Sequence, residues 1–374
     1  MGAPPQTVII GASAAGLAVA RCLEEAGDRP ILIEAEAQVG TMWRNAYRRL
    51  HLHTPRGRSG LPHLPMPASY PRYPSRQQVV DYLEAYAAAL KTPPRFGVRA
   101  TAVRRDGARW QVETPVEDFG ADMVVIATGN TRVPDRPTWP GMDQYGGRLL
   151  HSADYRSGAD FAGQRVLVVG FGNSACEIAV DLSEQGAAPS LAVRGAVNVI
   201  PRELLGIPIV QFGLIQRLTS PAVSDALTAP ILRAAIGDIT RLGLRRLPYG
   251  PAVQVTEHQH IPLIDHGTIA LIRQGKIEVR PGIARFTRSG VEFTDGRMAD
   301  YDAVVLATGF RPALADLLPG ISDVLDPGGA PLVSGAATAA PGLFFCGFVV
   351  MPSGTLRQIG SEARAIAAAI TAGA

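Results

Sequence analysis

One pattern occurs twice in this chain, and few folds can accommodate it. The run Val8-Ile-Ile-Gly-Ala-Ser-Ala-Ala-Gly16 is echoed by Val166-Leu-Val-Val-Gly-Phe-Gly-Asn-Ser-Ala175. Each is a short apolar stretch that turns through glycine into residues of helical spacing, and such self-similarity marks a duplicated unit. A second echo closes each half: Asp122-Met-Val-Val-Ile-Ala-Thr-Gly129 matches Asp302-Ala-Val-Val-Leu-Ala-Thr-Gly309. Short Val- and Ile-rich runs followed by glycine and a helix read as parallel strands covered on both faces. The expected class is α/β, with two doubly wound Rossmann-like dinucleotide-binding domains. The second opens before the first is complete, so it is inserted into it. The expected domains are 1–155 with 305–374, and 156–304 between them.

The stretches between the echoes fit this plan. Leu17 to Ala26 has helical spacing and stops at Gly27, and Pro30-Ile-Leu-Ile-Glu34 reads as the next strand. Ser75 with Gln78 forms a capping box before an amphipathic helix from Val79 to Leu90, after an irregular Pro-rich loop from Pro55 to Pro74. Arg99 to Val103 and Trp110 to Thr114 read as a hairpin, and Pro134 to Pro140 as a linker. The second half repeats the pattern with a helix from Ser174 to Glu184, a stop at Gly186 and a strand from Leu191 to Arg194.

In a dinucleotide site the first glycine permits the tight strand-to-helix turn, the second lets backbone approach the pyrophosphate, and the third lets helix pack on strand. Gly11, Ser13 and Gly16 hold those places, with Ala12, Ala14 and Ala15 between them. Ser13 departs from glycine, which fits if its hydroxyl turns away from the phosphate. The helix start supplies free N–H groups and the positive end of a dipole. Glu34 ends the next strand, where a carboxylate takes the hydroxyls of an unphosphorylated ribose, as in FAD or NAD. The second fingerprint is Gly170, Gly172, Asn173, Ser174 and Ala175, with Arg194 at the end of the next strand. A guanidinium there meets a 2′-phosphate with charge-assisted bonds, so the second cofactor is expected to be NADPH. Two such folds in one chain make sense if one holds a flavin and the other delivers hydride to it.

Composition decides where the electrons go. Disulfide reductases of this architecture need paired cysteines beside the flavin, whereas Cys22, Cys176 and Cys346 stand far apart. Oxygen is the expected acceptor, with a small-molecule substrate. The net charge of +3 is small and spread, which argues against nucleic acid as a partner. No signal-peptide pattern precedes Thr7, and no apolar run reaches the roughly 18 residues of a membrane span. A reducing, cytoplasmic setting is expected, and a homodimer is compatible with the sequence. Ile207 to Leu218 is the most apolar surface candidate, read either as core or as the lining of a channel or a membrane contact. His258, His260, Asp265 and His266 cluster, but their spacing fits no zinc pattern and no metal is expected. Arg202 and Arg245 are read either as holding a substrate carboxylate or, more often for such residues, as ordinary surface arginines.

Further motifs resemble the flavin-containing monooxygenases, and within them the YUCCA-type enzymes of plants. The family motif FxGxxxHxxx(Y/F/W) appears as Tyr145, Gly147, His151 and Tyr155, with tyrosine in the first place. Arg49-Leu-His-Leu-His-Thr-Pro55, Leu61-Pro-His-Leu-Pro-Met-Pro67, Tyr73-Pro-Ser-Arg-Gln-Gln78 and Val193-Arg-Gly-Ala-Val-Asn-Val-Ile-Pro-Arg-Glu203 are similar to the YUCCA pattern. So are Pro262-Leu-Ile-Asp265 with Gly267-Thr268, and Phe345-Cys-Gly-Phe348 resembles the last strand against the flavin.

The resemblance covers nearly the whole chain and implies a mechanism. NADPH reduces the flavin, NADP⁺ stays bound, and oxygen adds to give a flavin C4a-peroxide. Against a 2-oxo acid such as indole-3-pyruvate this species is a nucleophile and carbon dioxide is lost; against a thioether or amine it is an electrophile. An uncoupled flavin NADPH oxidase is a third outcome. Thr128, Gly129, Gly309 and Gly347 are expected beside the cofactors, and Trp43 beside the FAD. His53 stands where many relatives carry an asparagine, and it is the candidate catalytic acid or base. His151 is expected to shape the junction between domains rather than to transfer protons.

Overall fold

The two echoed strands fold as the centres of two separate sheets. The computed structural model describes residues 6–209, 219–349, 351 and 354–372. The first sheet is wholly parallel, in the order Leu343–Phe345, Met123–Ile126, Thr7–Ile10, Ile31–Glu34, Arg95–Phe96. Val8 pairs with Ile31 on one side and Val124 on the other, so both faces of Thr7–Ile10 are buried. This accounts for an unbroken apolar run instead of an alternating one. The helix Ala14–Glu25 packs along Thr355–Ala372, through Leu17, Leu23, Ala363 and Ile366. The C-terminal helix thus completes the first unit.

The second sheet runs Glu278–Arg280, Ala188–Ala192, Arg165–Val169, Ala303–Leu306, Arg148–His151, again all parallel. In each unit a three-stranded antiparallel sheet precedes the closing strand: Ala102–Asp106, Arg109–Glu113, Phe119–Ala121 in the first, and Ile283–Phe286, Gly290–Phe293, Met298–Asp300 in the second. The first confirms the hairpin reading, shifted a few residues toward its turn. Trp110 is buried there and donates Nε1–H to the Pro341 carbonyl at 3.1 Å.

Pairing moves the edges of the inserted unit outward from 156 and 304. Arg148–His151 is an edge strand of the second sheet, and Ala303–Leu306 lies wholly inside that sheet. Nothing in the sequence flags Arg148–His151, because an edge strand before the fingerprint carries no glycine signature. The chain crosses between units twice, and the crossings hold each other: Val133–Pro134 pairs antiparallel with Phe310–Arg311, and Asp135 donates its N–H to the Gly309 carbonyl at 2.9 Å. This pair opens the stretch read as a linker. Ser75 and Gln78 form the full capping box at the start of Arg76–Ala88. Of the apolar stretch from Ile207, the strand Ile207–Pro208 pairs with Glu203–Leu204 and Ile207 is exposed. Residues 210–218 lie outside the described residues.

Candidate functional site

Each glycine of the first fingerprint does the work its position requires. Gly11 has φ +104°, a left-handed turn that side chains resist. A Cβ on Gly16 would stand 1.9 Å from the Gly11 carbonyl oxygen, so helix and strand could not approach as they do. Ser13 precedes the helix in extended conformation, and its side chain makes no cap bond. Ala12, Ala14 and Ala15 are buried around it. Glu34 accepts the Ala12 N–H at 2.6 Å and the Glu36 N–H at 3.0 Å, which aims its carboxylate at the mouth of the turn.

Two cavities open from this turn. One of about 550 Å³ is lined by Gly11, Ser13, Glu34, Thr128 and Arg132 and reaches Ser174 of the second unit. The other, about 680 Å³, shares Ser13, Met42, Leu50, Ala127, Thr128 and Thr131 with it, so the two are continuous. The Thr128 hydroxyl is buried with no partner among the described residues. Gly129 has φ +73° with open space beyond it, and Gly347, φ +89°, lies against Ala15. Free N–H groups, an anionic Glu34 and an orphaned hydroxyl beside a bare glycine fit the pyrophosphate, ribose and ring of FAD. Trp43 is 8% exposed, so it belongs to the core while its edge lines the larger cavity.

The second fingerprint repeats the geometry. Gly170 has φ +127°, and its Cβ would meet the Ala307 carbonyl at 2.6 Å. Gly172, by contrast, faces open space, and Ala175 is buried against the strand. Asn173 opens the helix Asn173–Glu184 and accepts the Ile264 N–H at 2.9 Å. Arg194 lies two residues beyond Ala188–Ala192, is exposed, and has no hydrogen bond or ion pair of its guanidinium among the described residues. A bare glycine and a free guanidinium suit the pyrophosphate and 2′-phosphate of NADPH. Gly309, φ +94°, accepts Nε2–H of the fully buried His151 at 3.1 Å. Burial, helped by the Arg136 charge, lowers the His151 pKa, which fits a neutral ring tying the crossings together.

His53 lines the larger cavity, and its Nε2 lies 2.5 Å from Oε1 of Glu177 in the second fingerprint helix. Glu177 is 3% exposed. Burial alone would raise its pKa, but the hydrogen bond and charge of His53, with the charges of His266 and Arg49, hold it below the ordinary 4.5. The His266 ring lies 4.6 Å from that of His53, and burial followed by the His53 charge lowers its pKa to about 4. Neither Glu177 nor His266 was expected at the site. The available signal was in the helix itself, where Glu177 and Asp181 sit among residues of otherwise apolar, buried character.

The histidine cluster read from the sequence does not converge. His258 stacks on Tyr249, His260 pairs with Gln254, and Asp265 accepts the Gly267 and Ile269 N–H groups. Only His266 reaches the site, where it groups with His53 and Glu177. Arg49 and Arg202 lie close enough to act on His266 by charge, which disfavours a cation there. Of the two readings open for Arg202 and Arg245, the carboxylate-holding one finds no support at this cavity. Arg202 lies 3.3 Å above the Tyr73 ring and Arg245 donates to the Arg194 carbonyl, and neither lines the cavity.

A family model described as flavin-binding monooxygenase-like matches residues 5–322, and the chain belongs to that family. With two dinucleotide sites in place, it is an NADPH-dependent flavin monooxygenase whose cofactors are FAD and NADPH. The rice (Oryza sativa subsp. japonica) indole-3-pyruvate monooxygenase YUCCA1 is 39% identical over 327 residues, 86% of this chain and 80% of that protein. Arabidopsis thaliana YUCCA6, also an indole-3-pyruvate monooxygenase, is 39% identical over 314 residues, 81% of this chain and 75% of that protein. A solved flavin-containing monooxygenase from Stenotrophomonas maltophilia matches with a TM-score of 0.76 at 26% identity, covering 99% of each chain.

Proposed function

We propose that the protein oxidatively decarboxylates an aryl 2-oxo acid of the indole-3-pyruvate kind. In the balanced reaction, 2-oxo acid, O₂, NADPH and H⁺ give the acid shortened by one carbon, CO₂, NADP⁺ and water. The observation that carries this reading is the larger cavity. It continues from the flavin site and is walled by Leu52, Ile200, Leu227, Ile231 and Ile264, with His53 at its edge. Such apolar walls suit a flat aromatic group. The likeness to plant indole-3-pyruvate monooxygenases over about four-fifths of the chain supports the same substrate class.

Reduced flavin, when bound, would supply the activation of O₂. The chain's own residues bind and orient. Gly11, Ser13, Gly16, Glu34, Thr128, Gly129 and Gly347 hold FAD, and Gly170, Gly172, Asn173, Ser174, Ala175, Arg194 and Gly309 hold NADPH. His53 holds or delivers a proton at the cavity wall, with Glu177 accepting from its Nε2. Three unpaired buried cysteines are in keeping with a reducing cytoplasm, and no helix among the described residues is long and apolar enough to cross a membrane.

One observation favours a second reading, oxygenation of a neutral thioether or amine. No lysine or arginine is among the described residues lining the larger cavity, so nothing basic but His51 and His53 waits there for a carboxylate. Product formed per NADPH with 2-oxo acids and with a thioether separates the two, and hydrogen peroxide equal to NADPH consumed would mean an oxidase.

A further inference from the structure

The helix that cradles NADPH is bound to the wall of the reaction cavity at two points. Glu177 and Glu184 stand seven residues apart on Asn173–Glu184, two turns of one face. They meet two basic side chains from a single segment of the first unit: Glu184 accepts two parallel bonds from Arg49, at 2.8 and 2.9 Å, and Glu177 pairs with His53 at 2.5 Å. The two contacts differ in setting. Arg49 and Glu184 are partly exposed, so their pair is screened and weak. Glu177 is almost wholly buried, while His53 keeps 22% of its side chain exposed toward the cavity. A buried carboxylate accepts hydrogen bonds only, so the His53 nitrogen facing it carries the proton. In the neutral ring, Nδ1 then holds the lone pair.

We propose that Glu177 is the positioning residue of His53. It fixes the imidazole in one tautomer and one orientation at the cavity wall, and it ties that orientation to the helix on which NADPH is seated. The inference rests on the reading that His53 acts in the reaction, and it assigns Glu177 no contact with substrate or cofactor. The groups that act on the pair agree with that role. The His266 ring lies tilted beside that of His53 and is neutral above about pH 4, so it sits against the ring without a charge to repel it. Arg49, paired with Glu184, acts on Glu177 and His266 by charge, and Arg202 lies 3.5 Å from Nδ1 of His266. The Tyr47 hydroxyl also faces Glu177; burial first, then the Glu177 charge, raises its pKa well above the usual value, so it stays protonated. The side chains that act on Glu177 are thus His53, His266, Arg49 and Tyr47, and His53 is the one among these that lines the larger cavity. A carboxylate that orients a histidine and selects its tautomer can govern a rate without touching substrate.

The experiment uses the full chain loaded with FAD, in the parent, Glu177→Gln, Glu177→Asp, His53→Gln and Glu177→Gln/His53→Gln. Selective ¹⁵N-histidine NMR, with ring 53 assigned by its loss in His53→Gln, reads the tautomer directly. Product formed per NADPH is followed from pH 6 to 9. The expected result is a ring 53 protonated at Nε2 in the parent and a tautomer mixture in Glu177→Gln. Coupling should fall by about tenfold or more in Glu177→Gln, with a changed pH profile. Glu177→Asp should restore part of it, and the double variant should be no worse than His53→Gln. A parental tautomer and pH profile in a folded Glu177→Gln protein would overturn the proposal. If the tautomer changes as expected but His53→Gln couples like the parent, the positioning contact stands and the reading of His53 as an acting group falls.

Discussion

His53 and Glu177 are 124 residues apart in sequence and 2.5 Å apart in space, one on the flavin-side unit and one on the NADPH-side helix. Their unequal burial has an energetic consequence. Removing the histidine takes its main partner from a carboxylate that is 3% exposed and leaves it only the Tyr47 hydroxyl and distant charges, whereas removing the carboxylate leaves an imidazole still wetted by the cavity. His53→Ala should therefore cost about 2–3 kcal/mol in urea unfolding. Adding Glu177→Gln to it should recover most of that loss. Additive losses in the double variant would show that the two side chains do not act as a pair.

Acid should loosen the same junction before it unfolds the rest. His266 has a folded pKa of about 4 against an ordinary 6.5, so the unfolded chain takes up its proton first as pH falls. Its contribution is intact above 6.5 and is lost progressively down to about 4, each unit of depression being worth at most about 1.4 kcal/mol. Glu177, held below 4.5, adds a loss of the same sign at still lower pH. His266→Gln should flatten the fall of Tm between pH 6.5 and 4. An unchanged slope would mean that His266 does not titrate in this window.

Arg194 offers a guanidinium with no protein partner among the described residues, two residues beyond the strand that follows the second fingerprint helix. Arg194→Ala should raise the KM for NADPH by roughly 10- to 100-fold, the worth of a charge-assisted bidentate contact. The KM for NADH should change by less than about threefold, since no 2′-phosphate is present to be lost. Equal effects on both nucleotides would remove Arg194 from the phosphate site.

Two glycines separate architecture from binding. Gly16 has no room for a Cβ, so Gly16→Ala should break the packing of the first helix and release flavin, visible as loss of the yellow chromophore on purification. Gly172 adopts φ −81° and faces open space, so Gly172→Ala should leave Tm within about 1 °C of the parent. It should weaken NADP⁺ binding all the same, because the added methyl group would stand in the path proposed for the pyrophosphate. A Gly172→Ala protein with parental NADP⁺ affinity would place the pyrophosphate elsewhere.

How much of this was legible beforehand follows from the range of each interaction. The strand-glycine-helix units, Glu34, the capping box at Ser75 and the insertion of one unit in the other are local or periodic, and all were readable. The edge strand Arg148–His151 was not, since its place is set by pairing with Ala303–Leu306 more than 150 residues later. The same holds at the site. His53 stood out by motif, but its partner Glu177 is one buried carboxylate in an apolar helix, and only packing brings the two together. For Arg202 and Arg245 the two readings could not be separated beforehand, because a lone arginine in sequence says nothing about whether an aromatic ring or a carbonyl has already claimed it.

The account stands most directly on the fate of oxygen when indole-3-pyruvate is supplied. NADPH consumed, CO₂ and shortened acid formed, and hydrogen peroxide released should be measured together, with phenylpyruvate and a simple thioether as alternatives. The account predicts that 2-oxo acids speed NADPH oxidation and that acid and CO₂ each appear in equal amount to the NADPH used, with little peroxide. It is contradicted if 2-oxo acids leave the rate unchanged and yield no shortened acid, whether the thioether is oxygenated in their place or peroxide accounts for all the NADPH.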